Sequence, residues 1–471
     1  MARDLTPPVS LTVEGLIERW YLFGKRVLRI AATAASIGMI FAMPKIASGK
    51  YQIVPSNSPQ GAGATFQAGA SVTDLVVDDR VKSALDWLTK NTAWITNEQI
   101  EITEIPAPPF KEMERAAYLK KALAALGLRV RTDEVGNVIG ELSGTSDKEI
   151  ILITAHMDTV FPEGTDVRVR RERDLLYAPG ISDNGAGLAA LLGVARAMQE
   201  SKIRNRRTVI FAADVGEEGE GNLRGIRKLV EQYGTKLSAV IALDGASTEY
   251  VVTQALASRR IEIALTGPGG HSWSDFGAPN PIDAMARGIS RFLKTIELPG
   301  SPRTTFNIGE IEGGGSVNSI PSRAAIKVDI RSEQERDISR VESALRDAIR
   351  AGVQEEMAAS NTSGMATADR PGIEMQLRLL GARPGGDLAA GSPLLQSVMD
   401  ADRFLGNRSR TERSSTDANV PMSEGIPAIS IGGGGNASGA HTLGEWYDRA
   451  GREMGLKRVL LTLLSAAGVE K

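Results

Sequence analysis

The chain has 471 residues, with 55 Lys and Arg against 57 Asp and Glu and a formal net charge of −2. That balance excludes a general nucleic-acid binder, which needs a basic surplus to neutralise phosphates. There are 0 cysteines, which removes disulfides, thiolate catalysis, iron–sulfur clusters and thiolate zinc sites together, and only 3 histidines.

The length exceeds one compact core, so two domains and a tail are expected. Residues 1–75 read as an N-terminal segment plus linker. Lys25, Arg26 and Arg29 precede an apolar run from Ile30 to Met43, followed by the small residues Ala47, Ser48 and Gly49. The run is too short to span a bilayer comfortably, and its flanks fit a signal peptide, which points to an exported, periplasmic protein. The long stretch before it contains Glu14 and Glu18. That fits instead a start codon chosen too early or a membrane anchor, so membrane contact is expected only here. A third reading is a helix packed on the body of a cytoplasmic protein. Gln52 to Ala70, rich in Gly, Ser, Pro and Ala, reads as a linker.

From Val81 onward strand and helix patterns alternate. Ala116 to Leu126 is an expected helix, closed by Gly127. Glu149 to Ala155, Thr208 to Ala213 and Ala239 to Leu243 are short apolar runs and read as buried strands, with a helix at Gly187 to Gln199. Helix-length segments between such runs imply parallel pairing and an α/β sheet. Between residues 258 and 383 the texture changes. Expected strands at Arg260–Leu265, Thr305–Ile311, Ala324–Ile330 and Ile373–Leu380 alternate with helices at Pro281–Leu293 and Ser332–Met357. The order β-α-β-β-α-β is that of a ferredoxin-like unit. A helix at Pro393–Asp402 and a strand at Ala428–Ile431 return to the α/β texture. The expected organisation is a catalytic α/β domain in two parts, residues 76–257 and 384–471, with the ferredoxin-like unit inserted between them.

Polar residues cluster where the strands end. His156 and Asp158 (AHMDTVFP) follow the first strand, Glu217 and Glu218 (DVGEEGEG) the second, and Asp244 (ALDGAS) the third. Asp183 (GISDNGAG) lies in a turn that opens a helix. In open α/β sheets the carboxyl ends of the strands converge on one crevice. So many carboxylates in one place repel one another and need a positive partner. Bound divalent metal is the natural candidate, and carboxylate plus imidazole suits zinc.

With these residues on one rim, the sequence resembles the co-catalytic di-zinc peptidase family that includes peptidase T, glutamate carboxypeptidase, succinyl-diaminopimelate desuccinylase and aminoacylase. The resemblance covers nearly everything from Val81 to the C-terminus. It rests on His-x-Asp at 156–158, Ser-Asp-Asn-Gly-Ala-Gly at 182–187, Glu-Glu at 217–218, Asp244, Gly-Gly-His at 269–271 and Ala-His-Thr at 440–442. Each motif alone is weak, whereas the ordered set is specific.

The resemblance implies two divalent ions per chain, zinc by default, with cobalt or manganese as alternatives. Asp183 would bridge them, His156 and Asp244 would complete one site, and Glu218 and His441 the other. Asp158 would fix the tautomer of the His156 ring. Glu217 would be the general base acting on a water held between the metals. A cis peptide bond is implied between Asp183 and Asn184. In the inserted unit, His271 matches a histidine that stabilises the tetrahedral oxyanion, often across a dimer. Asn318 (SVNSIP) and Arg331 (VDIRSE) match positions that bind the substrate's carboxylate or backbone. A homodimer through the inserted unit follows.

The plainer readings are weaker. A lone histidine is usually structural, but all three here fall on motif positions. Glu217–Glu218 could be a solvated turn, Asp244 a helix cap, Asp158 a turn cap, and Asn318 and Arg331 surface residues. Thr416 and Asp417 recur in the family without assigned chemistry, and Glu220 reads as a solvated neighbour. Gly432 to Gly435 is not followed by the Lys-Ser/Thr of a phosphate loop, and no Gly-x-Ser-x-Gly follows a strand. The leading expectation is a metal-dependent exopeptidase of short peptides. An N-acyl-amino-acid amidohydrolase is the alternative within the family, and a non-catalytic binding protein on the same fold is the alternative outside it. The segment HTLGEWYD around Trp446 and Tyr447 resembles the peptidase branch.

Overall fold

A computed structural model describes residues 66–298, 300–362 and 372–470. The signal-like segment and most of the expected linker lie outside the described residues. Among the described residues no helix is long and apolar enough to cross a membrane.

The backbone of the fold is a nine-stranded mixed sheet. Its centre is four parallel strands in the spatial order Arg207–Asp214, Ser146–His156, Leu237–Leu243 and Ala428–Ile431. These contain the apolar runs of the sequence, and apart from residues 146–149 nearly every residue in them is buried because helices cover both faces. The flanks depart from all-parallel pairing. Val138–Leu142 joins Arg207–Asp214 antiparallel, and Tyr250–Ala255 joins Ala428–Ile431 antiparallel. Gly185–Glu200 is buried on almost every side, since it packs between the sheet and the helices Asp79–Lys90 and Thr92–Thr103. The C-terminal helix Arg452–Ala467 is equally enclosed.

A second sheet has the spatial order Thr304–Gly313, Arg323–Ser332, Ala257–Thr266 and Glu374–Arg383, antiparallel throughout. Two helices, Pro281–Thr295 and Glu335–Thr362, cover one face with their own apolar core around Ile263, Phe292, Ile326 and Val341. Asn280 caps the first of these helices by accepting from the Ile282 amide, and Pro281 opens it. The second begins at Glu335 and not at Ser332, because Ser332 is still the last residue of its strand, with its hydroxyl 2.9 Å from that of Thr304. The chain order is strand, helix, strand, strand, helix, strand.

The chain enters this second sheet through Leu256 and leaves it through Pro384. One buried side chain holds both crossings: Asn419 Nδ2 donates to the carbonyl of Leu256 at 3.0 Å and to that of Pro384 at 2.9 Å.

Candidate metal centre

The four parallel strands deliver their carboxyl ends to one rim. His156 is the last residue of its strand, Asp244 follows Leu243 directly, and Glu217 and Glu218 follow Asp214 after a short turn. His441 arrives on the loop after Ile431 with a left-handed backbone, φ 65°. Asp183 precedes the helix Gly185–Glu200, and the Asp183–Asn184 peptide bond is cis.

Three overlapping donor groups form there: His156 with Asp183 and Asp244, His156 with Glu217 and Glu218, and Asp183 with Glu218 and His441. His156 Nε2 lies 3.2 Å from Asp183 Oδ1 and 3.9 Å from Asp244 Oδ1. His441 Nε2 lies 3.1 Å from Asp183 Oδ2 and 2.8 Å from Glu218 Oε1. The two oxygens of Asp183 therefore face two different imidazoles, as a bridging carboxylate must. Asp183 Oδ1 is buried and has no hydrogen-bond partner of good geometry. Ligand atoms of His156, Asp183 and Asp244 come within 4.8 Å of one another, as do those of Asp183, Glu218 and His441.

The electrostatics point to missing positive charge. Burial opposes charging the His156 ring, but Asp158, Asp183 and Asp244 outweigh it and push its pKa well above the usual value. Hydrogen bonds to Asp183 and Glu218 push His441 up to about 10. Burial would raise Asp183, yet the two imidazoles hold it well below the ordinary carboxylate range. Three carboxylates around two imidazoles with an unpartnered buried oxygen fit a pair of divalent cations. The donors, all carboxylate and imidazole, suit zinc, cobalt or manganese.

Asp158 does two separate things. Its backbone carbonyl lies 3.1 Å from His156 Nδ1, while its carboxylate is 3.7 Å from that nitrogen. The carboxylate is occupied by the amides of Glu217, at 3.0 Å, and Glu218, at 2.9 Å. The expected control of the ring thus comes mainly through the main chain, and the side chain aligns the Glu-Glu turn.

Glu217 is buried and held by Arg383, whose Nη1 donates to Oε1 at 2.8 Å and whose Nη2 donates to the Glu217 carbonyl. Burial pushes the Glu217 carboxyl up to about 8, against the pull of Arg383. Divalent charge nearby would pull it lower. Arg383 ends the last strand of the second sheet, so the inserted unit reaches the rim through it. The sequence reading missed Arg383, for its position in the chain gives no sign of its partner.

Other supporting residues were also missed. Glu445 accepts from the amides of Gly180 at 2.7 Å, Ser182 at 2.8 Å and Asp183 at 2.9 Å, and so shapes the loop that carries the bridging acid. Asn184 Oδ1 accepts from the amides of Gly187 and Gly245, both at 3.1 Å, while its Nδ2 donates to the Leu243 carbonyl at 2.8 Å. That ties the Asp183 turn to the Asp244 turn. A Cβ at Gly187 would sit 2.1 Å from Asn184 Oδ1, which explains the glycine there. Asp417 faces Asp214 in the layer behind, where burial raises both, Asp214 to about 6.

The residues expected from the inserted unit do not join the donor groups. His271 is exposed at a hairpin in which it pairs with Ser319. Its Nδ1 accepts from the Trp273 amide at 3.1 Å, which leaves the ring proton on Nε2. Asn318 is exposed beside it, and its carbonyl accepts from the Ser272 amide at 3.0 Å. Arg331 donates to Asp329 at 2.7 Å. Asp329 also accepts from Arg260 at 3.3 Å, and Arg260 in turn donates to the Gly219 carbonyl at 2.6 Å. Arg331 therefore lies at the base of the second sheet, above the Glu-Glu turn.

Comparison with known proteins finds relatives of the chain. An uncharacterised Bacillus subtilis protein, YqjE, is 26% identical over 358 residues, covering 72% of this chain and 90% of its own. Carboxypeptidase G2 of Pseudomonas sp. is 25% identical over 232 residues, covering 47% of this chain and 54% of its own length. The crystal structure of a Staphylococcus aureus tripeptidase superposes with a TM-score of 0.64 at 22% identity, covering 80% of this chain and 99% of that one. Residues 152–465 match the sequence profile of peptidase family M20/M25/M40. The chain belongs to peptidase family M20/M25/M40 and is a metal-dependent hydrolase.

Proposed function

We propose that the protein is a zinc-dependent exopeptidase that hydrolyses amide bonds of short peptides, with Glu217 as general base. The observation that carries this is the placement of the buried Glu217 carboxyl next to the ligand Glu218, above two donor groups that share Asp183. Two divalent ions held by His156, Asp183, Asp244, Glu218 and His441 would polarise the scissile carbonyl and acidify a water. Glu217 takes the proton from that water and passes it to the leaving nitrogen. Arg383 keeps the Glu217 carboxyl aimed, and Asp158 keeps the Glu217 and Glu218 amides in register. A cavity of about 310 Å³ beside Asp183 and Asp244 is at the small end of ligand pockets, which suits short substrates.

The inserted unit serves in this proposal as lid and dimerisation surface. Its support is His271, exposed with a donating Nε2, which needs a carbonyl oxygen that its own hairpin does not supply. Asn318 next to it and Arg331 at the base would meet the substrate's backbone or carboxylate. Export is proposed on the signal-like residues 25–49.

The test is metal depletion followed by reloading with zinc, cobalt or manganese, and assay on dipeptides, tripeptides and N-acetylated amino acids. Roughly two metals per chain and zinc-restored peptide cleavage are expected. Preference for N-acetylated amino acids would move the function to amidohydrolase, and absence of tight metal would overturn the centre itself.

A further inference from the structure

We infer that Glu412 receives the free α-ammonium group of the substrate, so that the enzyme selects peptides with an unblocked N-terminus. The inference rests on the peptidase reading and names which end of the peptide the pocket holds.

The cavity of about 310 Å³ that contains Asp183 and Asp244 in its wall also has Glu412 in its wall. Glu412 lies in the strand Arg410–Ser414, which runs parallel to Tyr250–Ala255 at the end of the main sheet. In that pairing Glu412 stands opposite Val252, and both Val252 and Ser414 line the same cavity. The register shifts just after Glu412, but paired residues share a face, so the Glu412–Val252 pair places Glu412 on the side of Val252, which faces the cavity. Its carboxylate is thus joined to the reaction centre by one continuous space.

The charge of that space is one-sided. The lining holds three carboxylates and no lysine or arginine. Asp183 and Asp244 would be answered by the metals they hold, whereas Glu412 belongs to none of the donor groups. The arginines on either side of Glu412 are engaged elsewhere. Arg413 pairs with Glu333 at 2.6 Å, and Arg410 lies 5.1 Å from the centre of the Tyr250 ring. Among the described residues no lysine or arginine forms an ion pair with Glu412. A carboxylate in a substrate cavity with no lysine or arginine paired to it is open to a cationic ligand.

An α-ammonium matches the remaining lining. It offers three N–H donors, and the cavity offers hydroxyl acceptors at Tyr250 and Ser414 beside the Glu412 carboxylate. A peptide of a few residues carries that ammonium close to its first amide bond, which suits so small a space. An N-acyl cap removes the charge and turns a carbonyl oxygen toward a wall of carboxylates. The cavity therefore discriminates by repulsion as well as attraction.

The experiment compares zinc-loaded wild type, Glu412→Gln and Glu412→Asp on Ala-Gly-Gly, N-acetyl-Ala-Gly-Gly and N-acetyl-Lys-Gly-Gly, with metal content measured for each. Wild type should prefer Ala-Gly-Gly over its acetylated form by roughly tenfold or more in kcat/KM. Glu412→Gln should raise KM for Ala-Gly-Gly roughly tenfold to a hundredfold, with most of the loss in KM and not in kcat, and should shrink the preference. Glu412→Asp should fall between the two. Equal losses on free and acetylated peptides, or no loss on Ala-Gly-Gly, would overturn the inference while leaving the peptidase reading in place. A Glu412 dependence confined to N-acetyl-Lys-Gly-Gly would assign the residue to a basic side chain and overturn it as well. Failure of the metal-loaded wild type to cleave any peptide would overturn the peptidase reading and the inference with it.

Discussion

The metal-bearing rim and the tip of the inserted sheet treat their histidines in opposite ways. His156 is 1% exposed and ringed by the carboxyl groups of Asp158, Asp183 and Asp244. Its neighbours are themselves held, Asp158 by two backbone amides and the Asp183 turn by Glu445. His271 stands in the open, oriented only by the amides of its own hairpin. The rim gathers its donor groups from one chain, while the tip leaves an exposed imidazole at the end of a hairpin. Between them runs the Arg383–Glu217 contact, through which the inserted sheet touches the rim directly. Asn419 anchors the chain where it enters the second sheet and where it leaves it, just after Arg383. The rim is preorganised by its own hydrogen bonds, and the proposal gives the tip an encounter with a substrate or a second copy of the chain.

The comparison breaks first at Glu217. If the rim alone does the chemistry, Glu217→Gln should lower kcat by roughly 10² to 10⁴, the range of general-base catalysis, while metal content stays at the wild-type level. Removing the Glu217 carboxylate leaves the Arg383 guanidinium without its buried partner, which is destabilising in itself. A thermal melt therefore accompanies the assay, and the double variant Glu217→Gln with Arg383→Met controls for the stranded charge. Wild-type turnover in Glu217→Gln with full metal would show that the base lies elsewhere.

The tip is tested at His271. His271→Ala should cost about 10² to 10³ in kcat, the usual value of one oxyanion donor, with metal binding and folding intact. Mixing the inactive His271→Ala and Glu217→Gln proteins sharpens the point. If each site borrows the partner's hairpin, mixed dimers hold one site with both residues intact, and activity returns. No recovery, with subunit exchange demonstrated, would place His271 in service of its own chain or of none.

The sequence made the rim legible because its signals are local. Apolar runs announce strands, and a polar residue directly after such a run lies at a strand end. His156, Asp244 and the Glu217–Glu218 pair all follow that rule. Asp183 was legible as an acid in the turn that opens a helix, and His441 came from motif resemblance, since it does not directly follow a central strand. What sequence could not show was partnership at a distance. Arg383 is 166 residues from Glu217, and Glu445 is 262 from Asp183. The parallel centre of the sheet was legible from buried apolar runs, but its antiparallel flanks were not. Arg129–Thr132 and Tyr250–Ala255 are short or partly exposed and give a weaker pattern. The enclosed helix Arg452–Ala467 was missed for the reverse reason, as a segment buried on nearly all sides shows little of the periodicity that reveals a helix.

The smallest of these effects lies at Glu445, which touches no donor atom of the metal centre through its own carboxylate. It accepts three amides and the Ser182 hydroxyl, at 2.8 Å, from the loop that ends in Asp183. All of those partners are donors. An amide side chain in place of the carboxylate turns an N–H₂ group toward at least one of them and leaves that donor unpaired in a buried place. The loop then relaxes, and with it the angle at which Asp183 faces His156 and His441. Glu445→Gln should weaken metal binding by roughly tenfold to a hundredfold, the range for groups that orient metal ligands, with kcat close to wild type once metal is saturating. Chelator competition measures the first quantity and a zinc titration of activity the second. A variant that binds metal as tightly as wild type would show that the Asp183 turn is held by Asn184 and the helix behind it, and that the completeness of the rim does not extend to Glu445.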